Sequence, residues 1–572
     1  MNDLSEMPAR VAELLGRITE RRTRQAGGEF SAVEHVCHLR DIEAEGYAVR
    51  IEQLLREDVP LLRDLDGEAL ARERRYIEQD PDEALRAFAS ARARSLELLR
   101  GADEEALARE GTFEKVGRVS LAKLVEMMRE HDRGHLRDLE TLAALDRFTQ
   151  QRDVFREELE ALCRIPSISA SAPAEVRRSA TEVARILERH GIGDVRVLEV
   201  EGAHPSVYGA VHVHVNAKAP TVLLYAHHDV QPVGELSRWS SPPFEPVERD
   251  GRLFARGACD DKGGVLAHIA AVSSYGRALP CNVKFFIEGE EEIGSPNLPR
   301  FLERYGELLR ADCVVLADTP NYDTGVPGLT RSLRGMCLID VEVRCLERPL
   351  HSGRGGGAAP DAIAILCGIV SEVTGGGRPR AAAPTPNRSD ALHRDLGLLE
   401  GVALLGTREN TWNDPAITVI GIDAPPVDQS FNQIAASARA RLSVRTVPPL
   451  DSATSGEAIA AKIRELGTPH ALVSARVVKS VPWWHTDAEG PVFDAARRAL
   501  TRGYGCEVRM IGAGGSIGFV GMFEDAFPNV PLLLMGVEDP PCNAHSENES
   551  LDLGDWERCA RSAIFLYDEL SR

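Results

Sequence analysis

The sequence of 572 residues predicts a multidomain protein: an N-terminal all-α four-helix bundle, then an α/β domain that carries an inserted α+β domain. Three changes of pattern predict this fold. Helical periodicity fills the first part, short apolar runs alternate with helices after it, and half-buried antiparallel strands are indicated near the middle. We place the bundle at 1–148, the α/β domain at 149–336 and 480–572, and the insertion at 337–479.

Composition excludes several classes of protein. Hydrophobic residues make up 43% and charged residues 27%, as in a globular chain with a full core. The formal net charge of −21 argues against nucleic acid as a partner. The eleven cysteines form no C-x-x-C pair, and no apolar stretch has the length of a signal peptide or a membrane span. We therefore expect a cytoplasmic protein with no membrane partner.

The bundle is predicted from its helix starts. The first helix covers about 6–24. The second begins at Ser31, where Glu34 completes a capping box, and the third begins at Asp80 with a first-turn proline. The fourth runs from about Ser120 to Leu145. Four helices joined by short connections indicate a four-helix bundle.

Continuous apolar runs indicate the buried strands of a mostly parallel sheet. Each run is followed by His, Asp or Glu, and ligands gather at the carboxyl ends of such strands. The runs are Thr221–Tyr225, Val283–Ile287, Cys313–Ala317 and Val530–Met535. In the insertion, Cys337–Arg344 and Ala440–Val444 alternate like antiparallel strands, and Gly375–Asn387 is predicted to be a surface loop.

Five clusters after these strands supply candidate metal ligands. His227 and Asp229 are two apart and can share a face, and Asp260 lies in a glycine-rich turn. Taken singly, each cluster also fits a solvated turn or a structural histidine. Together they give an N/O donor set for two divalent ions, zinc first, with manganese or cobalt as alternatives. The other clusters contain Glu288, Glu290, Glu291, Glu292, Asp318 and His545.

Seven ordered blocks from about 151 to 572 resemble the metallopeptidase family of carnosinase, glutamate carboxypeptidase and aminoacylase. These blocks are AHHDVQP, ARGACDDKGG, EGEEEIGS, LADT, PLHSG, GAGGSIG and AHSENE. The resemblance implies an α/β zinc-peptidase domain whose insertion is a lid and homodimerisation domain. It implies Glu291 as the general base that activates a metal-bridging water, with Asp229 behind the His227 ligand to hold its imidazole in place. The implied metal ligands are His227, Asp260 as the bridge, Glu292, Asp318 and His545.

The resemblance also implies substrate-binding groups. His351 matches a histidine that holds the oxyanion, often from the partner subunit, although simple turn chemistry also fits it. Arg445 matches an arginine for the substrate carboxylate, and an ordinary ion pair is its alternative. Gly514, Gly515 and Ser516 match a loop of backbone N–H groups around that carboxylate. Gly512-Ala513 replaces the Arg-Glu pair of carnosinase-like members, which leaves carboxylate recognition there open.

The function expected is hydrolysis of the peptide bond in dipeptides or other small peptides. Aspartate at position 318 goes with dipeptidases and aminopeptidases in this family. Hydrolysis of N-acyl amino acids or carbamoyl amides is the alternative on the same fold. A non-catalytic binding protein is disfavoured, because every implied ligand, the base and Asp229 are present.

The bundle carries histidines of its own. His131 and His135 are four apart on one helix face, and with His38 they form a candidate site for one further divalent metal. The segments HVCHLRD and REHDRGHLRDL resemble the DinB-like superfamily of metal-binding bundles over about residues 5–147. This resemblance implies His38 rather than His35 as the ligand. It also leaves open a thiol-dependent transferase activity in the bundle, or a purely structural role.

Overall fold

The structure is a computed structural model that describes residues 2–25, 29–213, 219–377, 392 and 396–572. It confirms the predicted multidomain fold: a helical N-terminal unit, an α/β unit on a nine-stranded sheet, and an inserted α+β unit. Among the helices described, none combines the length and apolar character that crossing a bilayer requires.

Four long helical stretches form the N-terminal unit. The Ser31 hydroxyl accepts the N–H of Glu34, whose carboxylate accepts the N–H of Ser31, which is the predicted capping box. Asp80 and Ser120 cap the next two long helices. The helices are Asn2–Arg17, Ala32–Asp41 with its continuation through Ile42–Tyr47 and Ala48–Arg56, Gly67–Glu73, Pro81–Leu99, Glu104–Ala108 and Leu121–Cys163.

The first helix is shorter at its end than predicted. It ends at Arg17 and not near residue 24. The N–H groups of Thr19 and Glu20 donate to the Asp146 carboxylate, so they do not continue the helical ladder.

A small sheet beside the helices escaped prediction because its strands are too short to show periodicity. Its strands are β1 (Leu61–Leu62), β2 (Glu110–Phe113) and β3 (Gly117–Ser120).

The fourth long helix, Leu121–Cys163, continues well past the predicted end at Leu145. It runs through the predicted boundary between residues 148 and 149 because its second half is amphipathic toward the α/β unit. Phe148 on this half is buried against Trp556 of the C-terminal helix, with ring centroids 6.1 Å apart. One continuous helix therefore belongs to both units.

The central sheet of the α/β unit has nine strands. With the strands numbered along the chain, their order in the sheet is β18-β11-β20-β10-β6-β9-β5-β4, and β19 pairs with β11. Strands β20, β10, β6 and β9 are mutually parallel, as predicted. The strands are β4 (Gly193–Leu198), β5 (Ser206–Val211), β6 (Thr221–His227), β9 (Asn282–Glu288), β10 (Cys313–Leu316), β11 (Gly328–Leu333), β18 (Trp484–His485), β19 (Arg509–Ala513) and β20 (Leu532–Leu534).

Helices cover both faces of this sheet. The helix Lys262–Tyr275 is almost completely buried, which explains its apolar sequence. A short three-stranded sheet, β7 (Val247–Arg249), β8 (Arg252–Phe254) and β21 (Ser550–Asp552), lies beside the metal-ligand loops. The remaining helices of this unit are Pro173–Arg189, Leu298–Leu309, Pro491–Tyr504, Gly518–Ala526 and Leu553–Ser571.

The inserted unit is a four-stranded antiparallel sheet with helices on one face. The helices Ala362–Thr374 and Ser452–Glu465 share a core with the sheet. Of the predicted loop Gly375–Asn387, residues 375–377 form a short helical turn and 378–387 lie outside the described residues. The strands of this sheet are β12 (Gly335–Arg344), β14 (Ala416–Asp423), β16 (Ser437–Thr446) and β17 (Leu472–Val481), in the order β14-β16-β12-β17. A separate pair is formed by β13 (Leu350–His351) and β15 (Gln433–Ile434). Two short helices, Ser352–Gly355 and Asn410–Asn413, complete the unit.

Candidate metal centre

Three neighbouring parallel strands deliver polar side chains to one edge of the central sheet. Strand β6 ends on His227, which pairs in register with Glu288 at the end of β9. Strand β10 is followed two residues later by Asp318. Because the carboxyl ends of parallel strands meet at one edge, these side chains converge although they are distant in the sequence. All three are buried.

Asp260 lies between two groups of donor atoms. Its Oδ1 is 2.9 Å from Nε2 of His227, and that Nε2 is 3.8 Å from Oδ1 of Asp318. Its Oδ2 is 2.9 Å from Nε2 of His545, and that Nε2 is 3.1 Å from Oε2 of Glu292. Each oxygen of Asp260 therefore belongs to a different three-donor set. The structure brings together all five residues that the family resemblance implies as metal ligands.

Glu291 and Asp229 lie at the same centre. Glu291 offers a carboxylate oxygen within 4.8 Å of donor atoms of His227 and Asp318. Asp229 accepts the N–H of Glu291 at 3.2 Å and the N–H of Glu292 at 3.1 Å, and its Oδ1 is 3.4 Å from Nδ1 of His227. One buried carboxylate thus orients both the imidazole and the turn that carries the two glutamates.

The centre holds more carboxylate than imidazole charge. Burial and the neighbouring Asp318 raise the pKa of Glu291 well above its usual range, and burial with Asp260 raises the pKa of Glu292 to about 7. Hydrogen bonds to Asp260 and Glu292 raise the pKa of His545 to about 11. Crowded carboxylates of this kind are stabilised by bound cations. The donor set therefore fits two divalent metal ions that share Asp260.

A buried ion pair supports the turn that carries Asp260. Glu549 accepts the N–H of Cys259 at 3.2 Å and of Asp260 at 3.3 Å through Oε1, while Arg256 donates to its Oε2 at 2.5 Å. Both members of the pair are almost fully buried. Sequence reasoning missed Glu549 and Arg256. Their only signal was their place inside the AHSENE and ARGACDDKGG blocks.

The predicted substrate-binding residues of the α/β unit and the insertion lie together. Arg445 donates to Oγ of Ser516 at 2.8 Å, and Arg334, which sequence reasoning missed, donates to the carbonyl of Gly514 at 3.2 Å. Among the described residues Arg445 forms no ion pair, so the simple ion-pair interpretation is not supported. Burial lowers its pKa. A Cβ on Gly515 would meet no atom within 4 Å, so this loop borders open space.

His351 lies apart from the metal centre. It is exposed on the inserted unit, and its Nδ1 accepts the N–H of Gly353 at 3.1 Å. Within the described part of the chain it forms no hydrogen bond or ion pair with a residue of the centre. The turn chemistry considered for this histidine is present, and a single chain does not bring His351 to the scissile bond.

The bundle histidines form a second cluster. Nε2 of His131 is 3.1 Å from Nε2 of His38 and 3.2 Å from Nε2 of His135. His35, which the resemblance does not imply as a ligand, also joins the cluster: its Nδ1 lies 2.8 Å from Nδ1 of His135, whereas Nε2 of His135 faces His131. Burial lowers the pKa of His38 to about 4 and that of His131 to about 3.

A cavity of about 840 Å³ adjoins this second cluster. His35, His38 and His135 line it from the bundle. The C-terminal part of the α/β unit supplies another wall, including Arg502 and Phe565. The second cluster is therefore enclosed by both units and does not lie at the free end of an appendage.

Comparison with known proteins identifies the larger unit. The model of peptidase family M20/M25/M40 matches residues 223–566. This chain belongs to that family. The cysteinylglycine-S-conjugate dipeptidase of Corynebacterium striatum is 34% identical over 352 residues, which cover 58% of this chain and 77% of that protein. The Cys-Gly metallodipeptidase of Schizosaccharomyces pombe is 29% identical over 445 residues, covering 71% and 93%. The chain is thus a metallopeptidase.

Solved structures share the fold of this M20/M25/M40 member. Human carnosine dipeptidase 1 superposes with a TM-score of 0.62 at 23% identity, covering 75% of this chain and 98% of that one. The model of the DinB superfamily matches residues 3–139, so the N-terminal unit is DinB-like. Both resemblances inferred from the sequence are confirmed.

Proposed function

We propose that this chain is a metal-dependent dipeptidase. The observation that carries the proposal is the geometry of Asp260, whose two oxygens face two separate donor sets beside the free carboxylate of Glu291. The relatives named above are a dipeptidase of cysteinylglycine S-conjugates and a Cys-Gly metallodipeptidase. They favour dipeptides over N-acyl amino acids and carbamoyl amides as the substrate class.

The proposed chemistry divides between the ions and the residues. Two divalent ions, when bound, acidify a water molecule and polarise the scissile carbonyl. Glu291 accepts the proton of that water and later donates it to the leaving amine. Its raised pKa suits a group that must hold a proton between these two steps. Asp229 keeps the Glu291 turn and the His227 ring in place.

We propose zinc as the ion at this centre, with manganese or cobalt as alternatives, because the five ligands are imidazoles and carboxylates. We also propose that Arg445, Ser516 and the backbone of Gly514 and Gly515 bind the substrate carboxylate. The half-buried guanidinium of Arg445 has only the Ser516 hydroxyl as a hydrogen-bond partner among the described residues. A carboxylate ligand would supply the missing opposite charge.

The Glu291→Gln variant tests the proposal. It keeps the shape of the side chain but cannot accept the proton, so dipeptide turnover should fall by about 10²–10⁴-fold. The metal content of the catalytic centre should stay at two ions. Glu303→Gln, an acid-to-amide change at an exposed helix position, is the matched control. Wild-type turnover by Glu291→Gln would refute the assignment of the base.

We propose that the protein is a homodimer through the inserted unit and that His351 acts across the dimer. The edge strand β14 leaves Ile420 and Ile422 exposed, at 54% and 60%. A mixture of His351→Ala and Glu291→Gln chains tests this idea. In a mixed dimer one centre would receive an intact Glu291 and the partner's His351, so activity should reappear on mixing. Two inactive variants that stay inactive in a proven mixed dimer would contradict it.

We further propose a divalent metal in the bundle, held by His38, His131 and His135. Nε2 of His131 lies within 3.2 Å of Nε2 of both other histidines, and the lowered pKa values keep the imidazoles neutral at pH 7. For the compartment we propose the cytoplasm. All eleven cysteines are free, as expected where thiols are kept reduced.

A further inference from the structure

Glu538 is an acidic residue at the metal centre that neither donor set uses. It follows β20 on the same edge of the sheet as the ligands. Its backbone is fixed there, because its carbonyl accepts the N–H of Asn321 at 2.6 Å and it bridges Pro320 in parallel register. A carboxylate oxygen of Glu538 lies within 4.8 Å of oxygens of Asp260 and Asp318.

Among the described residues the Glu538 carboxylate has no cationic partner. Within the described residues it forms neither a hydrogen bond nor an ion pair, and the groups that face it are Asp260, Asp318, Asp261 and Cys542. Its side chain is half-buried. A half-buried carboxylate that is surrounded by other acids is stabilised by a positive group from outside the protein.

The two metal ions do not account for this need. Each donor set is complete without Glu538, since three protein ligands leave the open position that catalysis requires. Two divalent ions carry four positive charges. The five carboxylates of the centre already exceed them; these belong to Asp229, Asp260, Asp318, Glu291 and Glu292. Glu538 therefore contributes a surplus negative charge beside the reacting carbonyl.

A dipeptide brings a positive charge to this place. Its α-ammonium nitrogen is separated from the scissile carbonyl carbon by only one Cα, or about 2.5 Å. A carbonyl bound between the two donor sets would bring the ammonium group toward Glu538, because the Glu538 carboxylate lies within 4.8 Å of oxygens of Asp260 and Asp318. An N-acyl amino acid presents no ammonium group there.

Resting on the dipeptidase function proposed above, we propose that Glu538 binds the free α-ammonium group of the substrate and selects dipeptides over N-acylated amino acids. Glu538 is then a specificity-determining residue whose effect depends on the substrate's charge. It is not a metal ligand, and its loss leaves the metal centre intact.

The test compares two substrates that differ only in the amino group, alanylglycine and propionylglycine. In Glu538→Gln, kcat/KM for alanylglycine should fall by about 10- to 100-fold, as expected when a charged hydrogen bond is lost. The constant for propionylglycine should change by less than about twofold; where it is not turned over, its inhibition constant gives the comparison. Exposed Glu524→Gln is the control and should change neither.

Two further measurements distinguish binding of the substrate ammonium group by Glu538 from metal ligation by Glu538. The metal content of Glu538→Gln should equal that of the wild type, and a lost ion would show that Glu538 is a ligand. The KM of the wild type for alanylglycine should rise above about pH 8, where the ammonium loses its proton, and this rise should be absent in the variant. Equal losses for both substrates would overturn the role of Glu538 alone. A wild type inactive toward alanylglycine would refute the dipeptidase function itself.

Discussion

The two histidine clusters of this chain have opposite electrostatic surroundings. At the catalytic centre every imidazole faces carboxylates: hydrogen bonds to Asp260 and Glu292 raise the pKa of His545 to about 11. In the bundle the imidazoles face one another, and burial lowers the pKa of His38 to about 4 and that of His131 to about 3. The same side chain is thus tuned in opposite directions by its neighbours.

This difference indicates what each cluster can hold. The catalytic centre is a concentration of negative charge that divalent ions would neutralise. The bundle cluster offers neutral donors, so a divalent ion bound there would keep most of its positive charge. That charge would attract an anionic ligand in the adjoining cavity.

The clusters are joined by a single helix. His131 and His135 lie in the first third of this helix. At its C-terminal end, the Lys262 ammonium donates to the carbonyl of Leu162 at 3.1 Å and to that of Ile165 at 2.9 Å. Lys262 is two residues from Asp260. The two centres are therefore rigidly spaced but chemically separate, and substitutions in one should leave the other loaded.

The largest effect is expected from Asp260→Asn. The loss of the shared carboxylate removes a ligand from both donor sets at once, and metal catalysis contributes several kcal/mol, or about 10³-fold in rate. Dipeptide turnover should fall by at least that factor and both catalytic ions should be lost in metal analysis. The bundle ion should stay. Loss of all metal, including the bundle ion, would break the separation of the two centres.

Glu549→Gln should have a smaller effect on the same centre. The amide keeps an acceptor for the N–H groups of Cys259 and Asp260, but it leaves the buried charge of Arg256 without a partner. Substitution of such a supporting residue typically weakens metal binding by about 10- to 100-fold. Titration of the metal-free protein with zinc measures the change. Unchanged affinity would show that the turn holds Asp260 without Glu549.

Replacing both His131 and His135 by Gln should remove one ion per chain and leave dipeptide kcat/KM within about twofold, because neither residue touches the catalytic centre. Metal analysis and a dipeptide assay on the same preparation measure both quantities. A large loss of peptidase activity in a folded variant would show that the clusters are coupled.

The smallest effect concerns the stability of the metal-free protein against pH. The bundle histidines have a lower pKa when folded than the usual 6.5, so the unfolded chain binds more protons below that value. The free energy of unfolding should therefore be highest above pH 6.5 as far as these histidines determine it. It should decrease as the pH falls toward 4, by up to about 1.4 kcal/mol per pH unit for each such histidine. Denaturant unfolding between pH 7 and 4 tests this. A slope unchanged by the His131→Gln and His135→Gln substitutions would contradict it.

The sequence predicted the parts of the molecule that depend on local pattern. The capping residues Ser31, Asp80 and Ser120 marked helix starts correctly, and the four apolar runs became parallel strands. The helix through residue 148 was cut short because its apolar stripe is buried by a distant helix, which no local window shows. Glu538 and Glu549 escaped notice for the same reason. Their surroundings come from segments far along the chain.

The most direct test is a crystal structure of the metal-loaded protein with anomalous scattering from the ions. The account predicts two ions about 3.5–4 Å apart, each bound by a different oxygen of Asp260, one with His227 and Asp318 and the other with Glu292 and His545. A third ion should lie among His38, His131 and His135. A single catalytic ion, or two ions of which only one touches Asp260, would contradict the shared-carboxylate centre on which the proposed function depends.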